Sequence, residues 1–283
     1  MTGVVISSSL TVVAGVDGLN TNSPIIGYQN LVTTTNIAAT TEDADFPVVN
    51  LANPATHLRW KSGAGSPSSD EYITITLNTT ELVDYLGIAV HNFGTSSAPI
   101  SVEGTTEAPG GSPDPWFELI TPRLLVDDGP VIFRFDPQFL YSIRLRIQSS
   151  QAATPVTPYL AVMYVGELLV LQRRIYVGHT PIKFGRHLNV ANHRSISGNF
   201  LGRIVLGEKV STTIALKNLT PSWYRSYMDP FIIAAQEIPF FFAWRPGTYP
   251  TEVGYVWLTD DPEPANQLAN GMMQVSINVE GVV

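Results

Sequence analysis

The sequence predicts an all-β protein of two β-sandwich or jelly-roll domains, with one short helix in the second. Three observations carry that prediction. Apolar and polar residues alternate over several stretches of seven or eight residues, the pattern of a strand with one face buried. Glycine (22) and proline (21) together exceed ordinary usage and cluster between those stretches, as turn residues do. The chain has 283 residues, 44% hydrophobic and 14% charged, which suits two buried cores and argues against disorder.

Residues 1–29 are rich in Ser, Thr, Val and Gly, with Asp17 as their one charge. They read as an N-terminal strand or arm. An uncharged arm suits addition to a neighbour's sheet edge, and packing on its own domain serves equally well. Residues 30–172 follow as the first domain. There Ile73, Ile75 and Leu77 alternate with Tyr72, Thr74 and Thr76, and Tyr141, Ile143, Leu145 and Ile147 alternate with Ser142, Arg144 and Arg146. Leu86–Val90, Val131–Phe135, Leu160–Tyr164 and Leu168–Leu171 read as further strands. Turns fall at 63–67, 109–115, 127–130 and 154–158. The boundary lies at Val170–Ile175, and residues 173–283 form the second domain. Val210–Leu216 reads as a strand, and Met273, Val275, Ile277 and Val279 alternate along another. Thr220 suits a helix N-cap, Pro221 the first helical position, and Pro230 a kink.

The composition excludes several functions. A net charge of −8 argues against a nucleic-acid binder, which needs a basic footprint. No apolar run approaches the ~20 residues of a membrane helix. The first basic residue is Arg59, so the expectation is a chain without an export signal. The absence of cysteine removes disulfides, zinc-thiolate sites and a Cys nucleophile. No Gly-x-Ser-x-Gly elbow occurs. Gly202–Lys209 has the glycine spacing of a phosphate loop, but Glu208 stands where lysine is needed and the residues between are bulky, so it reads as a strand with a glycine bend. His187 and His193 are spaced too loosely for a zinc pair. Asp43, Asp45, Asp127 and Asp128 lack a calcium-loop pattern and read as turn acids. The expectation is a non-enzyme with no cofactor, no metal and no catalytic residue.

Charge is unevenly distributed. Arg173–Lys217 holds eight basic residues and one acid, and Ser226–Val283 holds seven acids and one base. One reading is pairing between neighbouring strands of one domain. The other is two complementary faces that meet head-to-tail between identical subunits. The interface candidates are Arg173, Arg174, Lys183, Arg186, Arg194 and Arg203 on the basic side, and Glu237, Glu252, Asp260 and Asp261 on the acidic side. Trp116 lies in a turn-rich stretch. It serves either as a sugar-stacking platform, with His57 and Tyr72 as further candidates, or as a loop anchor.

Two resemblances add to this reading. Phe46-Pro-Val-Val-Asn50-Leu51-Ala-Asn53-Pro54-Ala-Thr56-His57-Leu-Arg59-Trp60-Lys-Ser62 leads into the Tyr72–Leu77 strand and then Val83-Asp-Tyr-Leu-Gly-Ile-Ala-Val-His91-Asn92. That order resembles a galactose-binding-like (discoidin-type) jelly roll over residues 30–172, a family whose members bind sugars or act as structural modules. Ser197-Gly-Asn-Phe200-Leu-Gly202-Arg203, Leu219-Thr-Pro-Ser-Trp223-Tyr224, Pro239-Phe-Phe-Phe242-Ala-Trp244-Arg245-Pro246 and Tyr249-Pro-Thr-Glu-Val253-Gly-Tyr255 make residues 173–283 resemble tail proteins of long-tailed bacteriophages. That resemblance implies a distal-tail, baseplate or minor tail protein in the virion tail, assembled in the host cytoplasm. It implies a homo-oligomeric ring, hexameric by analogy with tail symmetry, docked to tail tube, hub and receptor-binding proteins. The alternative is a carbohydrate-binding module that contacts a host surface glycan.

Overall fold

The computed structural model describes residues 3–8, 10, 20–63, 69–107, 116–152, 156–175, 178–267 and 271–283. Asp17 and the turn residues 64–67, 109–115 and 154–155 lie outside them. The first half holds β1 (Val4–Ile6), β2 (Ile25–Gly27), β3 (Ile37–Ala39), β4 (Trp60–Lys61), β5 (Glu71–His91), β6 (Pro99–Thr105), β7 (Phe117–Leu124), β8 (Val131–Ile147), β9 (Tyr159–Gly166) and β10 (Leu169–Val170). The second holds β11 (Arg186–Arg194), β12 (Phe200–Leu219), β13 (Phe240–Ala243), β14 (Val253–Leu258), β15 (Ala265–Gln267) and β16 (Met272–Val282). The fold class is all-β, as predicted.

The first sheet runs β4-β9-β5-β8-β6-β7, with β3 on β5 and β1 parallel to β8. Its two long strands make the sandwich. Glu71–Thr76 of β5 pairs with Ser142–Ile147 of β8, the register then breaks, and Tyr85–Ile88 pairs with Val131–Arg134. A strand that bends at such a break serves both layers. The core between the layers holds Trp60, Ile73, Ile75, Leu86, Ile88, Val102, Phe133, Ile143, Leu145 and Met163. The alternation read in the sequence at 72–77 and 141–147 selects this face.

The second sheet runs β10-β2-β13-β14-β16-β12-β11, with β15 on β16. A helical segment, 221–235, covers one face through Tyr224, Met228, Phe231, Ile232 and Ala235. It opens as one α-turn, widens to a π-turn over Tyr224–Met228 and resumes as α-helix at Asp229–Ala235. Pro230 lies in the first turn of the resumed helix, where its missing N–H costs no helical bond, so it marks a restart just after the widened turn. Thr220 is not a side-chain cap: its hydroxyl accepts from Gln172 Nε2 at 3.1 Å, which holds the helix start against the crossover from the first body.

The two bodies share a third apolar layer of Val4, Ile25, Tyr85, Ala89, Ile132, Tyr164, Phe241, Val253 and Tyr255. The Phe240-Phe241-Phe242 run explains itself here. Phe240 and Phe242 enter the second core while Phe241 faces the first body, so a strand buried on both faces shows no alternation. Tyr164 donates to the Pro239 carbonyl at 3.0 Å and Tyr255 to the Pro54 carbonyl at 2.7 Å, so each buried hydroxyl is paired across the layer. Gly27 and Gly87 let the surfaces approach. A Cβ on either would stand 2.7 Å from the ring of Tyr85 or Phe241 respectively.

The segment 1–29 is not a separate arm in its described residues. Val4–Ile6 pairs with Ile132–Arg134 in the first sheet, and Ile25–Gly27 pairs with Phe241–Ala243 in the second. Buried apolar side chains draw both strands onto the chain's own sheets. Leu169–Val170, placed by sequence in the first domain, pairs with β2 in the second sheet. The chain is therefore stitched through both bodies twice.

Two predictions follow from this core. Phe241→Ala is expected to cost about 3–5 kcal/mol and to leave one cooperative unfolding transition; two separated transitions in urea would contradict a shared layer. The second concerns pH. Burial raises the Asp84 carboxyl from 3.8 to about 7, against the lowering effect of the Leu168 N–H that it accepts. Burial lowers the His91 imidazole from 6.5 to about 4, where Nδ1 accepts the Phe93 N–H at 3.3 Å. The folded chain thus binds a proton at Asp84 that the unfolded chain releases, and stability falls as pH rises from about 4 to 7. At His91 the unfolded chain binds the extra proton, and stability falls as pH drops from about 6.5 to 4. Asp84→Asn is expected to remove the first slope and keep the second, measured as urea midpoints between pH 4 and 8.

Candidate functional site

The most distinctive surface is a projecting arm. β12 pairs with β16 only from Val210 to Leu219. Among the described residues its first half pairs with β11 alone, in antiparallel register from Arg186–Val210 to Arg194–Phe200. Residues 186–209 therefore leave the body as a two-stranded ribbon about 30 Å long at ~3.3 Å per residue. Register shifts at Asn189/Val190 and His193/Arg194 bulge and twist it. From Phe200 to Lys209 every residue but Gly202 is exposed. Among them are Phe200, Leu201, Ile204, Val205 and Leu206, and Leu188 on β11 and Ile196 at the tip are exposed as well. An isolated hairpin is marginal in water, and a contiguous exposed apolar surface marks an interaction site. The arm carries Arg186, Arg194, Arg203 and Lys209 against Glu208, a net +3, while the rest of the chain carries 12 bases and 23 acids, a net −11.

A cleft of about 620 Å³ lies at the arm's root, lined in part by Arg186, His187, Lys209, Ser211, Asn278 and Glu280. Lys209 Nζ lies 3.0 Å from Glu280 Oε2, and the Trp257 indole donates to Oε1 at 3.2 Å. The Lys209 bond holds the Glu280 carboxyl below its ordinary range.

The basic interface candidates divide. Arg194 and Arg203 lie exposed on the arm, Arg203 donating to Asn192 Oδ1 at 2.8 Å. Arg186 is exposed at the root, 3.8 Å from Glu208. Lys183 lines a cavity between the bodies with Asp127 and Asp128. Arg173 is half-buried, and its Nε donates to the Asn218 carbonyl at 3.0 Å; Arg174 is half-buried beside it. On the acidic side, Glu237, Asp260 and Asp261 are exposed, and Gln236 Nε2 donates to Asp261 at 3.1 Å. Glu252 is not a surface group. It is 7% exposed and accepts the Trp244 indole N–H, which fixes the 244–252 loop.

Two of the three glycan candidates meet on the outer face of the first sheet. The Arg144 guanidinium lies 4.1 Å from the Trp116 ring centroid and 4.5 Å from that of Tyr72. Register explains this: Thr74 stands opposite Arg144, Tyr72 opposite Arg146, and Glu103 opposite Arg144 on the other side. Arg144 Nε donates to Glu103 at 2.6 Å, Arg146 Nη1 to the same carboxylate at 3.2 Å, and Arg146 Nη2 to Asp70 at 2.7 Å. One face of Trp116 is thus occupied by the protein's own cation, which anchors the side chain on the sheet. His57 is exposed on the loop between Asn53 and Arg59.

Sequence reasoning missed the arm's apolar residues. The signal was present in Ile204-Val205-Leu206, an apolar run inside the most basic stretch of the chain. Of the turn acids, Asp128 accepts from the Thr95 N–H and hydroxyl, and Asp127 from the Gly129 N–H. Among the described residues no three metal-ligating side chains converge, and no helix is long and apolar enough to cross a membrane.

Glu103→Ala would take the shared carboxylate from Arg144 and Arg146 in a mostly buried setting and leave Arg146 with Asp70. It is expected to destabilise by about 3 kcal/mol; a loss below 0.5 kcal/mol by urea titration would show the network to be solvated.

No model of a protein family matches the chain, and no curated protein matches it. Solved structures do. The chitosan-binding module 1 of a chitosanase/glucanase from Paenibacillus sp. IK-5 is 18% identical over 49% of this chain and 99% of its own, with a TM-score of 0.42. A pectin-binding carbohydrate-binding module is 14% identical over 50% and 92%, with a TM-score of 0.37. The CBM32 of AlyQ, in complex with 4,5-unsaturated mannuronic acid, is 15% identical over 49% and 96%, with a TM-score of 0.38.

Proposed function

We propose that this chain is a structural component that acts by assembling with copies of itself and docking other proteins, and that it performs no catalysis. The observation that carries this reading is the arm. Residues 186–209 hold an apolar, basic ribbon in solvent on a body whose remaining charge has the opposite sign. A hairpin without a partner would not favour Phe200, Leu201, Ile204 and Leu206 at exposed positions. The setting we propose is the tail tip of a long-tailed bacteriophage, as a distal-tail or baseplate ring; it rests on the sequence motifs of residues 173–283 alone, and no compared protein is of that kind. Tail tube, hub and receptor-binding proteins would then be its other neighbours.

The test is the mass of the chain in solution. Sedimentation at rising concentration is expected to reveal species larger than a monomer. Leu201→Ser, Ile204→Ser and Leu206→Ser together should weaken association at least tenfold while leaving the melting temperature within a few degrees, because these side chains lie outside the core. A chain that stays monomeric at every concentration would overturn the reading.

A second reading concerns the first body alone. Trp116 and Tyr72 on the outer sheet face, beside two arginines and two carboxylates, suit stacking on a sugar ring with hydrogen bonds to its hydroxyls. On a glycan array, binding that Trp116→Ala abolishes would support it, and a blank array with folded protein would remove it.

A further inference from the structure

We infer that the arm of one copy docks on the outer side of the helical segment 221–235 of a second copy, so that the contact runs head-to-tail. This rests on the assembly reading above and names both of its surfaces.

The geometry comes from a single strand. β12 spans 20 residues, from Phe200 beside the arm's tip to Leu219, and the helical segment begins two residues later at Pro221. At ~3.3 Å per residue the two ends of β12 lie roughly 60 Å apart. An arm cannot fold back onto the helix of its own chain across that length. Any contact between the two surfaces must join different copies, and it must use opposite ends of each.

Chemistry selects the helix as the receiver. Tyr227 and Ile233 are large apolar side chains left exposed there, 55% and 61%. Acids surround them: Asp229 on the segment, Glu237 just after it, and Asp261, which Gln236 Nε2 ties to the helix end at 3.1 Å, with Asp260 beside it. Arg225 is the one cation on the segment, and its Nη1 is turned back to the Pro221 carbonyl at 2.9 Å. The arm offers the complement, with Arg194 and Arg203 beside Phe200, Leu201 and Ile204. Arm against arm would instead bring two +3 surfaces together. An isologous pair through the arms is therefore disfavoured, and the contact is heterologous, of the kind that closes into a ring or continues as a filament.

The experiment mixes two full-length variants, each altered at exposed positions and each checked for an unchanged melting temperature. One carries Leu201→Ser, Ile204→Ser and Leu206→Ser on the arm. The other carries Tyr227→Ser and Ile233→Lys on the helix. Light scattering after chromatography is expected to give an oligomer above a dimer for the wild type and a monomer for each variant alone. The mixture should give a one-to-one dimer that grows no further, because one partner keeps a working helix and the other a working arm. Its affinity should fall at least tenfold between 50 and 500 mM salt. If the wild type associates and the helix variant associates equally well, the helix is not the receiver and this inference fails while the assembly reading stands. A mixture that remains monomeric beside an associating wild type overturns the inference as well. A wild type that never associates overturns both.

Discussion

The layer of Tyr85, Tyr164, Phe241 and Tyr255 between the two sheets is the constraint on which the other features depend. It buries four large rings, pairs the hydroxyls of Tyr164 and Tyr255 with carbonyls across the gap, and needs glycine at 27 and 87 for the surfaces to meet. Hydrophobic burial of this kind is strong, and the paired hydroxyls remove the penalty of placing phenols there. Two bodies joined by such a layer, and stitched by β1, β2 and β10, cannot swing independently. The arm and the helix therefore stand at a fixed separation, and an assembly built from them inherits a defined geometry.

Rigidity in the body contrasts with what the arm displays. Among the described residues, the free end of the hairpin has no third strand, yet its composition is apolar. Polar residues would have kept a solvated ribbon soluble at no cost in function. The positive charge on the arm, set against the acidic remainder, supplies attraction at long range, while the apolar residues supply affinity once surfaces touch. The outer face of the first sheet is organised differently. Its arginines and carboxylates pair with one another, and Trp116 stacks on Arg144, which favours an ordered surface whether or not a ligand binds there.

Much of the fold was legible in the residues. Alternation at 72–77, 143–147 and 273–279 identified strands and the face that each buries, whereas Ser142, expected on the outer face, is fully buried and Tyr141, expected inside, is half-buried. What escaped was set by contacts distant in sequence. The three-residue strands β1 and β2 are too short to show a period, and only their partners Ile132–Arg134 and Phe241–Ala243 make them strands. Phe240–Phe242 hides its alternation because both faces are buried. Of the candidate residues, Arg194, Arg203, Glu237, Asp260 and Asp261 stand at the surface, while Glu252 turns inward to the Trp244 indole, a pairing that eight residues of separation did not reveal. Tyr72 and Trp116 were named separately, but their meeting over Arg144 depends on the β5–β8 register.

The central claim is that the arm is a contact surface used between copies, and amide hydrogen exchange reads it directly. The N–H groups of residues 186–209 should exchange quickly in dilute protein, since among the described residues no third strand shields them. At concentrations where the mass rises, their exchange should slow together with that of residues 221–237, while the layer around Phe241 stays unchanged. Exchange in the arm that remains fast while larger particles form would contradict the claim.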